Sequence, residues 1–106
     1  MSDTHPIDRL FAVIESRKGA DPSQSYTAKL FGQGTLKIAK KLGEEGVETA
    51  LAAVAQDKQA LAAESADLLY HLLVLWAACG LKPADAYAAL EARTGRSGLD
   101  EKASRG

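Results

Sequence analysis

Two short acidic runs hold the residue types from which a helical cation site is built. Glu44, Glu45 and Glu48 fall within Gly43-Glu44-Glu45-Gly46-Val47-Glu48, and Glu64 and Asp67 within Glu64-Ser65-Ala66-Asp67. Residues three apart share a helix face, so Glu45/Glu48 and Glu64/Asp67 are each a carboxylate pair. The second pair runs directly into Leu68-Leu69-Tyr70-His71-Leu72-Leu73-Val74-Leu75-Trp76, which has almost no polar side to offer water. Carboxylates on the approach to such a segment need a partner, which is a lysine, a proton or a metal ion.

Judged one helix at a time, lysine is an adequate answer. Lys40–Glu44 and Lys41–Glu45 are both i, i+4 pairs, although lysine before glutamate is the poorer order. Such exposed pairs contribute only about 0.3–0.5 kcal/mol. Glu64 and Asp67 are also favoured simply by lying in the N-terminal half of their helix. The two helices together say more. Only two or three residues around Asp57 connect them, so they are antiparallel neighbours. Glu48 and Glu64 then lie at similar distances from the turn, and the two carboxylate pairs arrive at one level of the bundle. Four carboxylates so placed repel unless protonated or neutralised by a cation. Oxygen donors without cysteine suit Mg²⁺, or Mn²⁺, rather than zinc. An Mg²⁺ site beside a lysine-rich helix suits a phosphate ester.

The elements that must position these residues follow from periodicity and punctuation. Pro6 opens a first helix capped by Asp3 or Thr4, with Ile7, Leu10, Phe11 and Ile14 at helical spacing, Gly19 as a stop and His5 left in water. Ser25 caps a short helix that ends at Gly32, and Thr35 is the candidate cap of a long helix to about Ala55. On that helix Leu36, Ala39, Gly43, Gly46, Val47, Ala50 and Val54 form the expected packing face, with the two glycines allowing a close approach. Asp57 caps the next helix, Lys58 to Cys79, ended by Gly80. Pro83 opens a last one with Ala86, Tyr87, Leu90 and Arg93. The remainder, about 95–106, is polar and glycine-rich and reads as a flexible tail. No strand pattern appears, so the fold class is all-α: an antiparallel bundle of four to five helices in one domain spanning 1–106.

Bulk properties narrow the setting. At 106 residues the length fits one domain, and 46% hydrophobic with 25% charged residues is ordinary for a globular chain. Much of the apolar content is alanine, which gives a thin core and predicts completion by a second subunit, a homodimer. A net charge of −1 gives no basic character for nucleic acid or an anionic membrane. The single Cys79 rules out an internal disulfide and reads as a small buried hydrophobe. No signal-peptide pattern opens the chain, and the apolar run Leu68 to Leu81 is short for a bilayer and broken by His71, so a cytoplasmic location is the expectation.

Glu-Glu-x-x-Glu followed by Glu-x-x-Asp resembles the metal signature of the all-α nucleoside triphosphate pyrophosphohydrolases, the MazG and dimeric dUTPase group. Longer segments are more specific. Ser25-Tyr26-Thr27-Ala28-Lys29-Leu30, the stretch Gly34 to Ala50, the stretch Asp67 to Leu75 and the tail Ser97 to Arg105 are similar to the phosphoribosyl-ATP pyrophosphohydrolase family. The resemblance implies a MazG-like bundle and the second step of histidine biosynthesis, in which phosphoribosyl-ATP is cleaved between its α- and β-phosphates. It also implies a separate phosphoribosyl-AMP cyclohydrolase, since nothing here can be that second domain. Glu45, Glu48, Glu64 and Asp67 are then the expected metal ligands. Glu44, on the same polar face, is the candidate to position water or accept its proton, with a surface glutamate paired to Lys40 as the alternative. Lys29, Lys37, Lys40 and Lys41 are candidates for phosphate, Lys37 and Lys41 ranking above Lys40 because they share the carboxylate face. His71 continues the Glu64/Asp67 stripe, to bond a ligating carboxylate or the substrate, or to sit as a satisfied core histidine. Arg96 and Lys102, with Arg93 and Arg105, are candidates to close over phosphates. Two other readings compete: a related pyrophosphohydrolase that clears ordinary or damaged nucleotides, and a non-catalytic helical dimerisation module.

Overall fold

The computed structural model describes residues 5–94, which form five helices and no strand: α1 (Pro6–Ser16), α2 (Tyr26–Gln33), α3 (Thr35–Val54), α4 (Lys58–Cys79) and α5 (Pro83–Glu91). The expected all-α architecture is present, with α3 packed most extensively on α4, α1 and α2 laid across that pair, and α5 against α1.

Local signals set most of the helix ends. Pro6 begins α1, where its missing N–H costs nothing. The cap is His5, whose Nδ1 accepts the Ile7 N–H at 3.1 Å. Asp3 and Thr4, the expected caps, lie outside the described residues. Ser25 Oγ accepts the Ala28 N–H at 3.1 Å, as its position before α2 required. That helix runs through Gly32 and stops at Gln33. The break falls at Gly34, whose φ of +90° only glycine adopts without strain, so Thr35 begins α3 and caps nothing.

The turn Ala55–Asp57 reverses the chain in three residues. Gln56 N–H reaches the Ala53 carbonyl, Asp57 N–H reaches that of Ala52, and Gln56 takes the left-handed conformation between them, φ +61°. Asp57 Oδ1 then accepts the Ala60 N–H and starts α4. At the other end Gly80, φ +78°, closes α4 with Gly80 N–H to Ala77 and Leu81 N–H to Trp76. α5 starts with Lys82 N–H bonded to Asp85 Oδ2 and stops before Arg93. Tyr87 Oη donates to Asp8 Oδ1, fastening α5 to α1.

The buried core comprises Phe11 and Ile14 of α1, Leu30 of α2, Ile38 of α3, and Leu73, Val74 and Ala77 of α4. The packing face of α3 differs from expectation. Ile38, Leu42, Glu45, Thr49 and Ala52 are buried or half-buried, whereas Leu36 is 85% and Val54 79% exposed, and Val47 and Leu51 are exposed too. Both sides of α3 are apolar, and α2 and α4 cover only one. Of the two glycines, Gly46 lies 4.0 Å, measured from the position a Cβ would take, from Leu68 Cδ1 of α4; Gly43 has no neighbour within 4 Å.

Cys79 is exposed, a second correction. It lies five residues after buried Val74, about 140° further round the helix, and so faces away from the core. By length and composition alone α4, at 22 residues, is long and apolar enough to cross a membrane. It carries Glu64, Asp67 and His71 and is the helix on which α1, α2 and α3 pack.

Candidate active site

The antiparallel hairpin brings the acidic runs together at mid-height. One carboxylate oxygen from each of Glu45, Glu48 and Glu64 lies within 4.8 Å of the others. Their level is held by Thr49, one turn beyond Glu45. Its hydroxyl is 2.7 Å from the Glu45 carbonyl and 3.2 Å from the Glu64 carbonyl across the helix pair. Asp67, the fourth expected ligand, lies outside that group of three, exposed one turn further along α4. It remains close enough for its charge to act on both Glu45 and Glu64.

The electrostatics answer the question of partner. Neither Lys40–Glu44 nor Lys41–Glu45 closes into an ion pair among the described residues, whereas Lys18 and Glu15 of the α1 end do, at 3.5 Å. Glu64 Oε2 is buried with no donor among the described residues. A bond between Glu64 and Glu48 needs a proton, and that bond is the first cause holding the Glu64 carboxyl above the usual range. Burial and the charges of Glu48, Glu45 and Asp67 add to it. Glu45 is also raised, by burial first and then by Glu48, with His71 opposing. Three converging carboxylates, one with an orphaned buried oxygen and no lysine among them, take either protons or a cation. Their all-oxygen donor set fits a hard divalent ion such as Mg²⁺ or Mn²⁺.

His71 is 7% exposed. Its Nδ1 lies 2.8 Å from the Asp67 carbonyl, which can only accept, so Nδ1 carries the proton and Nε2 is the free nitrogen. Nε2 is buried and without a partner among the described residues. The bond His71 makes is therefore to the Asp67 backbone carbonyl and not to a carboxylate.

Beside the carboxylates, Gln33, Lys37, Lys40, Lys41 and Glu44 line a polar depression of about 240 Å³ on α2 and α3. Lys37 and Lys41 both line this hollow. Lys40, ranked lower, lines the same hollow, and Glu44 faces these lysines and lies outside the group of three carboxylates. Lys29 is exposed on α2 and is not part of that lining. Arg96 and Lys102 lie outside the described residues. Sequence reasoning passed over Gln33 and Thr49; a threonine four residues after Glu45 on the inward face was the available signal for the latter.

A family model described as phosphoribosyl-ATP pyrophosphohydrolase matches residues 7–94, all of the helical body but its first residue. This chain belongs to that family. Relatives named phosphoribosyl-ATP pyrophosphatase include one from Paramagnetospirillum magneticum, 59% identical over 97% of this chain and 94% of its own length. Another, from Azospirillum brasilense, is 61% identical over 93% of this chain and 89% of its own. A third, from Caulobacter vibrioides, is 62% identical over 96% and 94%. In this member of the family, the two acidic signatures lie opposite one another and the lysines of the first long helix lie beside them.

Proposed function

We propose that the chain hydrolyses phosphoribosyl-ATP to phosphoribosyl-AMP and pyrophosphate, the second step of histidine biosynthesis, in the cytoplasm and as a homodimer. The observation that carries the reading is the orphaned, buried Glu64 oxygen among three converging carboxylates beside a lysine-lined hollow. Family membership supports the substrate.

Glu45, Glu48 and Glu64, with Asp67 one turn away, would hold Mg²⁺ or Mn²⁺. When bound, the ion offsets charge on the triphosphate and acidifies or orients water. Lys37, Lys40 and Lys41 present three ammonium groups to phosphate oxygens. Glu44, among those lysines, is placed to take the proton of the attacking water as the α–β anhydride opens. Glu45 and Glu48, which would hold the cation, and the lysines, which would meet the phosphates, all lie on α3. The exposed stripe Leu36, Val47, Leu51 and Val54 supports a second copy covering that side of α3.

Pyrophosphate release from phosphoribosyl-ATP, measured beside a panel of nucleoside triphosphates with Mg²⁺ or with EDTA, tests the reading. Release confined to phosphoribosyl-ATP and abolished by EDTA is expected. Equal turnover of the panel would assign a nucleotide-clearing role instead, and no turnover with no Mg²⁺ binding would leave a helical dimerisation module.

A further inference from the structure

The first residue of α2, Tyr26, keeps 51% of its surface exposed. Yet its ring is not free to swing. It stacks on Tyr70 of α4, with centroids 6.3 Å apart and planes 24° apart, and meets the edge of His71 at 6.3 Å. Tyr70 is itself held, edge-on to His71 at 5.0 Å and with its hydroxyl bonded to Thr27. Burial is the first reason that the Tyr70 phenol stays protonated above its ordinary range. Tyr26 is absent from the hydrophobic core and from the partly buried residues packed on it, whereas Tyr70 is among the latter. One side of the Tyr26 ring is therefore backed by an ordered aromatic pair, while half of its surface stays in water.

The position of that ring is informative. His71 is four residues beyond Asp67, about 6 Å along the helix axis. Tyr26 meets the edge of His71, and His71 Nδ1 is bonded to the Asp67 carbonyl. Through His71 the ring thus adjoins the stretch of α4 that carries Asp67 and Glu64.

We infer that Tyr26 is the platform on which the adenine of the substrate stacks, with Tyr70 and His71 as its backing. The inference rests on the proposed activity for the identity of the base. Aromatic faces take bases by stacking without reading their edges, so Tyr26 supplies affinity for the nucleoside end. The carboxylates and lysines deal with the phosphates.

Titrating the full chain in Mg²⁺ with AMP, ribose 5-phosphate and pyrophosphate tests this. The variants Tyr26→Leu and Tyr26→Phe are compared with the unaltered protein. Wild type should bind AMP more tightly than ribose 5-phosphate. Tyr26→Leu should weaken AMP binding about ten-fold or more while Tyr26→Phe stays within about two-fold, since stacking needs a ring and not a hydroxyl. Both variants should leave ribose 5-phosphate and pyrophosphate binding unchanged, and Tyr26→Leu should raise KM for phosphoribosyl-ATP more than it lowers kcat. Unchanged AMP binding in Tyr26→Leu overturns the inference. So does equal loss for all three probes, which would give Tyr26 a merely structural part, or AMP binding no tighter than ribose 5-phosphate in wild type. Absence of phosphoribosyl-ATP turnover with this AMP pattern intact would sink the proposed activity and leave the platform standing.

Discussion

Where α3 and α4 pass beneath α1 and α2, they bury Ile38, Leu73, Val74 and Ala77. Between Ile38 and the turn at Gln56 on α3, and between that turn and His71 on α4, no residue is buried. Leu51 and Val54 there stand in water as aliphatic residues on a regular helix. The hairpin thus has a half packed within the chain and a half with exposed apolar residues, and the carboxylates lie in the second, close to the border. The fold and the site therefore draw on separate resources. Packing by α1 and α2 sets the direction of the hairpin, while the level of the carboxylates depends on the thinly packed part.

Substitutions on each half break this comparison most directly. Ile38→Ala, in the packed half, is expected to cost about 2–5 kcal/mol in urea unfolding. Leu51→Ala should cost far less at protein concentrations where the chain is monomeric. Leu51→Asp should shift sedimentation toward the monomer without loss of helical circular dichroism, and an unchanged dimer would remove the outer face of α3 from the interface.

Glu64→Gln sharpens the comparison from the other side. Mg²⁺-dependent pyrophosphate release should fall at least about 100-fold if Glu64 holds the ion as proposed, because an amide then replaces one of its oxygens. The same change should raise the melting temperature of the metal-free protein, since it removes a charge repelled by its neighbours. Glu48→Gln and Asp67→Asn should also abolish turnover with helical content intact, and full activity in either would remove that residue from the ligands.

The pH dependence follows with its sign. Glu45 and Glu64 are raised from the ordinary 4.5 in the folded chain, so the fold holds their protons more tightly than the unfolded chain does. Their contribution to stability is complete below about pH 4.5 and is lost as pH rises through the raised values. In EDTA, the melting temperature of wild type relative to the Glu45→Gln/Glu64→Gln variant should therefore fall between pH 4.5 and 7.5. Mg²⁺ should restore it at the upper end and do little at the lower, where protons compete for the same oxygens. The smallest effect is expected at the turn. Gln56→Gly removes a left-handed conformation that glutamine adopts at a cost, and should stabilise by about 1 kcal/mol or less in the same unfolding assay.

Much of this arrangement was legible because it is local. Ser25 and Asp57 announce helix starts, and a three-residue turn between two long helices fixes an antiparallel pair, from which the meeting of Glu48 with Glu64 follows. The inward face of α3 was not legible. Leu36, Val47 and Val54 make as good an apolar stripe as Ile38, Leu42 and Ala52, and only the rest of the fold selects between them. The stacking of Tyr26 on Tyr70 joins residues 44 positions apart, from different helices, and no spacing rule reports it. Cys79 was misplaced because an apolar run does not say which of its sides runs past the end of the neighbouring helices.

Connecting segments usually tolerate extra residues at little thermodynamic cost. The turn Ala55–Asp57 is an exception because of what Thr49 spans. One added residue there, if accommodated by rotating α4, would turn its faces by about 100° and shift its level by about 1.5 Å. Glu64 would leave Glu45 and Glu48, and the Thr49 hydroxyl would lose the Glu64 carbonyl. The number of residues in this turn therefore sets which carboxylates meet.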